Sequence, residues 1–511
     1  MTVKREQISK VFWAFLLVCS LLQAKGQYIN ALYNDNHGYM LFGSVEVKDS
    51  ALYITGVTDS KQTPFNRKGL FAKLGFSGNQ EFMKEVSSSD TSEYEIFTNC
   101  LKPTADGNFV SVGRVVDTTC RTFLMKVDTG GNILLWKEYS NNQTNIYSGQ
   151  DVCEIPGLGY LLSINANYLN NNSSVIILSV DFSGSLLSQN RYDLSSEEWP
   201  TVITPKYNGN FLIGAFSCKA NTNTPFWSKT WVLEVDSLGV LVNQWIDSSN
   251  LNLAPLSMKQ TIDSGLIIAR QHLSYDLNDY QAFNASIIKL DKNFNKEWEV
   301  VTGGIAADAG LYDIELLPTG DFIMCGANPI LNTPDSSHIY GWVLKLSDSG
   351  QVLWERNFLP SNWEDTWAYL YDIELLSNGD IIGVGQKKGI DPPPYQQGWV
   401  IYLDSSGCLS ADCDSMTAIN FDGLSQERIE VTVYPNPAFE VVTVDYGFTN
   451  WSKGDVELQI VNSIGQTVYE QQVPSFSAFQ KIDVSHFASG IYLATIKRQG
   501  QIIANAKFVK E

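Results

Sequence analysis

The chain has 511 residues, and 35 Lys and Arg against 55 Asp and Glu give it a formal net charge of −20. This acidity argues against a nucleic-acid binder, because phosphate backbones favour clustered positive charge. Charged residues make up only 18% and aromatic residues 12%, with 38 glycines, which indicates a folded, turn-rich β protein and excludes disorder. Four His and eight Cys leave little material for a metal or thiol centre, so we expect no cofactor.

Residues 1–26 have the pattern of a secretory signal peptide. Basic residues precede an apolar run at 11–22, and small residues at Ala24 and Gly26 permit cleavage before Gln27. The run is too short for a stable membrane span, and no later stretch is long enough either. We therefore expect export through the periplasm and no transmembrane span in the mature chain. An N-terminal anchor is the alternative, and Val18 disfavours lipidation at Cys19.

Residues 27–404 contain an internal repeat of roughly 55 residues. The clearest copies begin at Tyr312 (YDIELLPTGDFIMCG) and Tyr371 (YDIELLSNGDIIGVG). A polar loop and a second pair of apolar segments, GWVLKLSDSG or GWVIYLDSSG, follow each of them. Seven copies align on one glycine position, occupied for example by Gly56, Gly113, Gly326 and Gly385.

Each copy predicts two β-hairpins, because Gly-containing turns such as 318–321 join short apolar segments. Four strands in each of seven copies predict an all-β fold, a seven-bladed β-propeller with a margin of one blade. A β-solenoid has shorter rungs, and two smaller propellers would need a linker that the sequence lacks. The polar loops between hairpins, such as 328–340 and 386–397, would crowd one rim, where a binding face is expected.

Tryptophans recur at one repeat position, at Trp136, Trp245, Trp298 and Trp354. A quinone cofactor or a sugar platform could use them, but packing between neighbouring blades requires the same recurrence. We therefore interpret these tryptophans as core residues.

An Asp-x-x-Gly turn also recurs, at 128–131, 181–184, 236–239 and 404–407. An aspartate that opens a type I turn explains it without calcium. The turns resemble the Asp box of sialidase-type propellers, but Leu346 and the position of Trp354 break that pattern.

The sequence shows no catalytic constellation. His37, His272 and His338 are isolated, and no G-x-S-x-G or P-loop motif occurs. Paired carboxylates for glycoside chemistry stay open, because pairing is a property of the fold. Glu315 and Glu374 occupy equivalent positions after Tyr-Asp-Ile, which we interpret as structural repetition. We therefore name no catalytic, cofactor-binding or metal-binding residue.

Export permits disulfides, and Cys408 with Cys413 would close a short loop. A bond from Cys100 to Cys120 or Cys153 is the alternative that the spacing leaves open.

The repeat stops after residue 404, and a linker at 405–428 follows. Residues 429–511 alternate apolar and polar positions in short segments, which predicts a small immunoglobulin-like β-sandwich. Single positions stand out in this block, at Pro435, Asn436, Pro437, Gly465, Gly490, Tyr492 and Lys507. With these residues the block resembles the type A C-terminal sorting domain of the type IX secretion system of Bacteroidetes. An ordinary immunoglobulin-like module is the alternative.

The resemblance implies that secretion machinery at the outer membrane recognises the domain. In that family the domain is commonly cleaved, and the cargo is released or attached to surface lipopolysaccharide. Four short motifs also resemble the O-glycosylation site of the same bacteria, at Ser50, Thr118, Ser237 and Ser415.

These patterns predict a secreted or cell-surface propeller that binds an unknown glycan or protein ligand without catalysing a reaction. The alternatives are a polysaccharide-active glycosidase or lyase with carboxylates in the central funnel, and a scaffold whose repeats display glycans. Two carboxylates about 5–10 Å apart in an open cleft would favour the enzyme.

Overall fold

The computed structural model describes residues 29–34, 39–59, 67–86, 95–117, 119–141, 143–168, 172–194, 197–219, 227–248, 253–272, 285–302, 310–333, 336–360, 366–389, 396–409, 432–445, 456–462, 466–472, 479–498 and 501–511. Within these ranges the secondary structure consists of β-strands, with no helix. The predicted signal peptide and most of the predicted linker lie outside them.

A short first strand, β1 (Ile29–Tyr33), precedes seven sets of strands. Each set in the described residues 39–403 is an antiparallel group of strands, and we number the groups as units 1 to 7 in chain order. One parallel pairing, of Ile339 with Trp367, joins units 6 and 7 into a single sheet. Unit 1 contains β2 (Met40–Lys48), β3 (Ala51–Asp59), β4 (Arg67–Gly75) and β5 (Gln80–Val86). Unit 2 contains β6 (Glu95–Thr98) and β7 (Lys102–Pro103), which pair with the same strand, then β8 (Phe109–Val116), β9 (Cys120–Val127) and β10 (Ile133–Tyr139).

Unit 3 contains β11 (Thr144–Ile155), β12 (Gly159–Tyr168), β13 (Ser173–Asp181) and β14 (Leu186–Tyr192). Unit 4 contains β15 (Glu197–Pro205), β16 (Phe211–Lys219), β17 (Trp227–Val235) and β18 (Leu241–Ile246). Unit 5 contains β19 (Leu253–Gln260), β20 (Leu266–His272), β21 (Ala285–Leu290) and β22 (Lys296–Thr302).

Unit 6 contains β23 (Gly310–Leu316), β24 (Phe322–Thr333), β25 (Ser336–Leu346) and β26 (Val352–Phe358). Unit 7 contains β27 (Thr366–Leu375), β28 (Ile381–Gly389) and β29 (Gln396–Leu403). Its fourth strand is β1, which pairs antiparallel with β29 from Ile29–Tyr402 to Tyr33–Gly398. The N-terminal strand therefore completes the last unit, which the repeat pattern did not predict.

The units form a closed ring. The first strand of each unit contacts the preceding unit, and β2 of unit 1 contacts β27 and β28 of unit 7. The second and third strands are almost entirely buried, as in β3, whereas outer strands such as β18 are exposed. First strands thus surround a common axis, and this arrangement is a β-propeller.

Apolar contacts between units follow the repeat. Trp298 of unit 5 donates a hydrogen bond from Nε1 to the Asp348 carbonyl of unit 6, at 2.9 Å. Beside it, a Cβ added at Gly350 would lie 2.8 Å from the Trp298 ring, so only glycine fits there. This contact places Trp298 between neighbouring units, whereas Trp136 stacks on Phe123 of its own unit with ring centroids 4.5 Å apart. Both tryptophans are half-buried on outer strands, so the interpretation as core residues is wrong for them.

The recurrent aspartates act within their own turns. Asp128 Oδ1 accepts hydrogen bonds from the amides of Gly130 at 2.9 Å and Asn132 at 2.8 Å, and Gly131 has φ +74°. Asp404 does the same for Ser406 and Cys408. The local turn interpretation therefore holds for these residues.

Residues 432–511 contain β30 (Thr432–Tyr434), β31 (Val441–Asp445), β32 (Val456–Asn462), β33 (Thr467–Gln472), β34 (Phe479–Asp483), β35 (Gly490–Arg498) and β36 (Gln501–Lys510). Strands β30, β31 and β34 form one sheet, and β33, β32, β35 and β36 form the other. Both sheets contribute to one core, for example Val442 and Ile482 from the first, and Leu458, Ile496 and Phe508 from the second. The segment is thus a two-sheet β-structure around a single core.

Candidate functional site

The first strands of six units carry a β-bulge at equivalent positions. The register shifts lie between Phe42 and Ser44, Gly149 and Asp151, Pro200 and Val202, Pro255 and Ser257, Leu311 and Asp313, and Leu370 and Asp372. In unit 2 the first strand is interrupted between β6 and β7 instead. A bulge bends a strand and redirects the side chains next to it, and here those side chains lie near the ring axis.

The aspartates directly after three bulges join neighbouring units. Asp151 Oδ2 accepts a hydrogen bond from the Ile203 amide of unit 4 at 2.7 Å. Asp372 Oδ2 accepts one from the Val45 amide of unit 1 at 2.8 Å, which closes the ring. Asp313 Oδ2 accepts a longer one from the Ile373 amide of unit 7, at 3.4 Å. These carboxyl groups are therefore structural.

A ring of mostly charged side chains lies two residues further along the same strands, and we call it the charged ring. Its charged members, all lining one cavity, are Glu46, Lys102, Lys259, Glu315 and Glu374. Cys153 and Thr204 occupy the corresponding positions in units 3 and 4. The three glutamates belong to the consecutive units 6, 7 and 1, and a lysine flanks them on each side.

The cavity has a volume of about 760 Å³. Beyond the charged ring it reaches the turns that join first and second strands in units 3 and 4, at 156–157 and 209. Apolar side chains form much of this wall, among them Pro103, Pro205, Phe211 and Met258. The cavity thus lies at the end of the short turns. The polar loop predicted at 328–340 is largely strand instead, since β24 extends to Thr333 and β25 begins at Ser336, and residues 390–395 of the second predicted loop lie outside the described residues.

Lys259 and Glu315 form an ion pair in the charged ring, with Nζ and Oε1 2.7 Å apart. Burial opposes protonation of Lys259, but the Glu315 carboxylate outweighs it and raises the pKa of the lysine. At Lys102 burial is likewise outweighed, by Asp151 and Asp372, and its pKa lies well above its usual value. Both lysines are therefore cationic at neutral pH.

All three glutamates of the ring hold protons more tightly than usual, and burial raises the pKa of Glu315 even beside Lys259. Burial raises the pKa of Glu46 to about 7. Burial, together with the nearby carboxyl groups of Glu46 and Glu315, raises the pKa of Glu374 to about 10. At neutral pH Glu374 is therefore a neutral acid, and Glu46 exchanges its proton near pH 7.

Three groups of the charged ring are free to meet a ligand. Among the described residues, no hydrogen bond or ion pair engages the side chains of Glu46, Glu374 or Lys102. A neutral carboxyl group can donate a proton, and a group with a pKa near 7 can accept one. The described residues contain no group of three or more His, Cys, Asp or Glu side chains that could hold a metal ion.

The structure contradicts one of the two disulfide predictions. Cys100, Cys120 and Cys153 carry free thiols, so the alternative disulfide from Cys100 is wrong. Burial raises the pKa of Cys153, in the cavity wall, to about 12, which keeps it a thiol rather than a nucleophilic thiolate. Cys408 is disulfide-bonded, but Cys413 lies outside the described residues, so their pairing stays a prediction.

The sequence pointed to only part of this site. It placed Glu315 and Glu374 at equivalent repeat positions but treated them as structural, and it missed Glu46, Lys102 and Lys259. The signal was present in the repeat column, where Glu and Lys alternate with neutral residues. Glutamate and lysine at the same repeat position resemble ordinary variation of a surface residue, and only the closed ring of units places these side chains in one cavity.

The structure brings the two ends of the C-terminal segment together. Asn436 accepts a hydrogen bond from the Val509 amide at 2.9 Å and donates one to the Lys507 carbonyl at 3.3 Å. Tyr492 donates from its hydroxyl to the Ala488 carbonyl at 2.7 Å, and Gly490 pairs with Lys510. Pro435 and Pro437 flank Asn436 and are exposed, whereas Gly465 lies outside the described residues.

Two of the four predicted glycosylation positions are described. Ser50 is exposed in the turn between β2 and β3, and Ser237 is partly exposed in the turn before β18. Thr118 and Ser415 lie outside the described residues.

Residues 432–511 match the family described as the secretion system C-terminal sorting domain. The chain is a cargo of the type IX secretion system. Its sorting domain implies contact with that machinery and export to the cell surface or the extracellular space. In the described part of the cargo, no helix is long and apolar enough to cross a membrane. No curated protein matches the chain.

Several solved structures are similar to the cargo at low identity. The β-propeller domain of the Trilobed protease from Pyrococcus furiosus is 7% identical, with a TM-score of 0.39 over 71% of this chain and 95% of its own. The polysaccharide lyase Uly1 is 8% identical, with a TM-score of 0.45 over 75% and 93%. An α-L-arabinofuranosidase from Fusarium graminearum is 10% identical, with a TM-score of 0.40 over 75% and 99%. The propeller assignment rests on the strand pairing and the ring contacts described above.

Proposed function

We propose that the cargo is a seven-bladed β-propeller that binds a glycan or protein ligand outside a Bacteroidetes-type cell, with the cavity at the charged ring as its site. The cavity carries this proposal. Its volume of about 760 Å³ falls in the range of small-ligand sites, and its wall combines apolar side chains with a few convergent polar groups.

The rest of the proposed organisation follows the sequence. Residues 1–26 are the signal peptide, 27–404 the propeller, 405–428 the linker and 429–511 an immunoglobulin-like sorting domain. The chain passes through the periplasm and is anchored to surface lipopolysaccharide or released. Cys408 pairs with Cys413, and glycans attach at some of the four predicted serine and threonine positions.

A binding screen of the secreted protein against glycans and surface proteins tests the site. The double variant Glu46→Gln with Lys102→Met should lose the ligand that the native protein binds, because it changes two of the three free groups of the charged ring. Glu81→Gln is the matched control, since Glu81 is exposed on the outer strand β5, where it pairs with Lys73 at 2.8 Å. A ligand that both variants bind like the native protein would place the binding face elsewhere.

A second candidate function is hydrolysis or elimination on a polysaccharide. The specific observation is the pair Glu374 and Glu46, a neutral acid beside a group that titrates near neutrality, in one cavity. Such pairs supply the acid and the base of glycoside cleavage. Reducing ends released from a polysaccharide, lost in Glu374→Gln while binding persists, would establish the enzyme; intact polysaccharide after long incubation would exclude it for that substrate.

A further inference from the structure

The free groups of the charged ring lie on three neighbouring strands. The Val45 amide bonded to Asp372 holds β2 beside β27, at 2.8 Å. The Leu101 amide donates to Ser44 Oγ at 3.1 Å and holds β7 beside β2. Glu374, Glu46 and Lys102 follow these contacts by one or two residues on their strands. They therefore form a continuous row along one side of the cavity.

The charges around this row disfavour a charged ligand. An anion would meet Glu46 and would gain little from the two lysines, because Glu315 already pairs with Lys259 at 2.7 Å and the Asp151 carboxylate lies near Lys102. A cation would meet Lys102, with Lys259 beyond the glutamates. An uncharged ligand avoids both penalties, because burial makes each like-charge contact more costly than it is in water.

The row offers both hydrogen-bond donors and acceptors. A neutral Glu374 carboxyl group donates, Glu46 accepts in its ionised form, and Lys102 donates. Neighbouring hydroxyl groups of a sugar both donate and accept, so one sugar unit can satisfy the row. Elsewhere the cavity wall presents the exposed prolines Pro103, Pro156 and Pro205, whose apolar surface suits the C–H face of a sugar ring.

We propose, on the basis of the proposed function, that the cavity binds an uncharged sugar unit of a glycan, with its hydroxyls on Glu374, Glu46 and Lys102 and its apolar face toward Pro205. Proteins and charged glycans are then not the ligands of this site. The site selects by a balanced row of donors and acceptors rather than by net charge.

The test uses the full-length secreted protein and an array of neutral, uronic-acid and amino-sugar oligosaccharides, with calorimetry on the best neutral hit. Glu374→Gln should bind within about twofold of the native protein, since an amide keeps a neutral donor. Glu374→Ala and Lys102→Met should each weaken binding about tenfold, the loss expected for one buried hydrogen bond. Glu81→Gln should bind like the native protein, and melting curves should show that every variant is folded.

Three results would overturn the proposal. Hits confined to uronic-acid or amino-sugar oligosaccharides would make the ligand charged. Equal losses in Glu374→Gln and Glu374→Ala would mean that the carboxylate charge, and thus a cationic ligand, is what matters. A surface protein bound through Lys102 and Glu46 would refute the sugar but keep the cavity as a site. If no ligand of any class depends on the cavity variants, the proposed function itself fails.

Discussion

Asp151 joins two units of the ring through one carboxylate. It is 4% exposed, and it accepts hydrogen bonds from the amides of Ile203 at 2.7 Å and Val152 at 2.8 Å. Asp151→Ala would leave both buried amides without an acceptor, so we expect a loss of about 2–4 kcal/mol in the free energy of unfolding. Urea denaturation measures it. Asp348→Ala, in an exposed turn, should change stability by less than about 0.5 kcal/mol; equal effects of the two would refute the joining role.

The two protonated glutamates make stability depend on pH. Their pKa values rise from 4.5 to about 7 for Glu46 and about 10 for Glu374 on folding. The titratable groups around them are Lys102, Lys259, Glu315, Asp313 and Asp372. The folded state therefore keeps protons that the unfolded chain has lost. The contribution of these two groups to stability is fully present below about pH 4.5 and is lost as pH rises, through 7 for Glu46 and toward 10 for Glu374. Each retained proton contributes a slope of about 1.4 kcal/mol per pH unit.

Glu374→Gln should remove one of these slopes. Between pH 5 and pH 9 its free energy of unfolding should fall less steeply than that of the native protein, and Glu81→Gln should leave the slope unchanged. Urea denaturation at several pH values measures both. An unchanged slope in Glu374→Gln would show that Glu374 is ionised in the folded protein.

Strand β1 closes the ring by supplying the fourth strand of unit 7. It pairs with β29 along its whole length, Trp399 donates from Nε1 to Asn30 Oδ1 at 2.7 Å, and Tyr33 donates to the Gly78 carbonyl of unit 1 at 2.6 Å. A chain that begins at Asn34 should lose about 3 kcal/mol or more of unfolding free energy, from the strand ladder and from Ile29 in the core. Urea denaturation should show no such loss for a chain that begins at Ile29; equal stability of both truncations would mean that the ring closes without β1.

The elements that could be predicted from the sequence are those with local signals. Paired apolar segments around Asp-x-x-Gly turns predicted the hairpins, because turn chemistry and strand alternation act over a few residues. The β1–β29 pair could not be predicted in the same way, since it joins residues at the two ends of the repeat array. The bulges were equally invisible, because one extra residue such as Tyr312 leaves no local mark. The charged ring requires both the ring closure by β1 and the bulges. The sequence therefore showed only Glu315 and Glu374, as repeat positions, and did not show a site.

The sorting domain determines the destination of the whole molecule. Deletion of 429–511 should leave the cargo in the periplasm, since the predicted signal peptide still acts and the outer-membrane address is gone. Cell fractionation and surface labelling measure this outcome, and unchanged surface delivery would refute it.

Asn436 tests whether the secretion machinery recognises the folded sorting domain. Its side chain joins the two ends of the domain through hydrogen bonds to Lys507 and Val509. Asn436→Ala should then reduce export, whereas Asn505→Ala, exposed on β36, should not. Normal export of Asn436→Ala would mean that the secretion machinery recognises the sorting domain without the hydrogen bonds of Asn436.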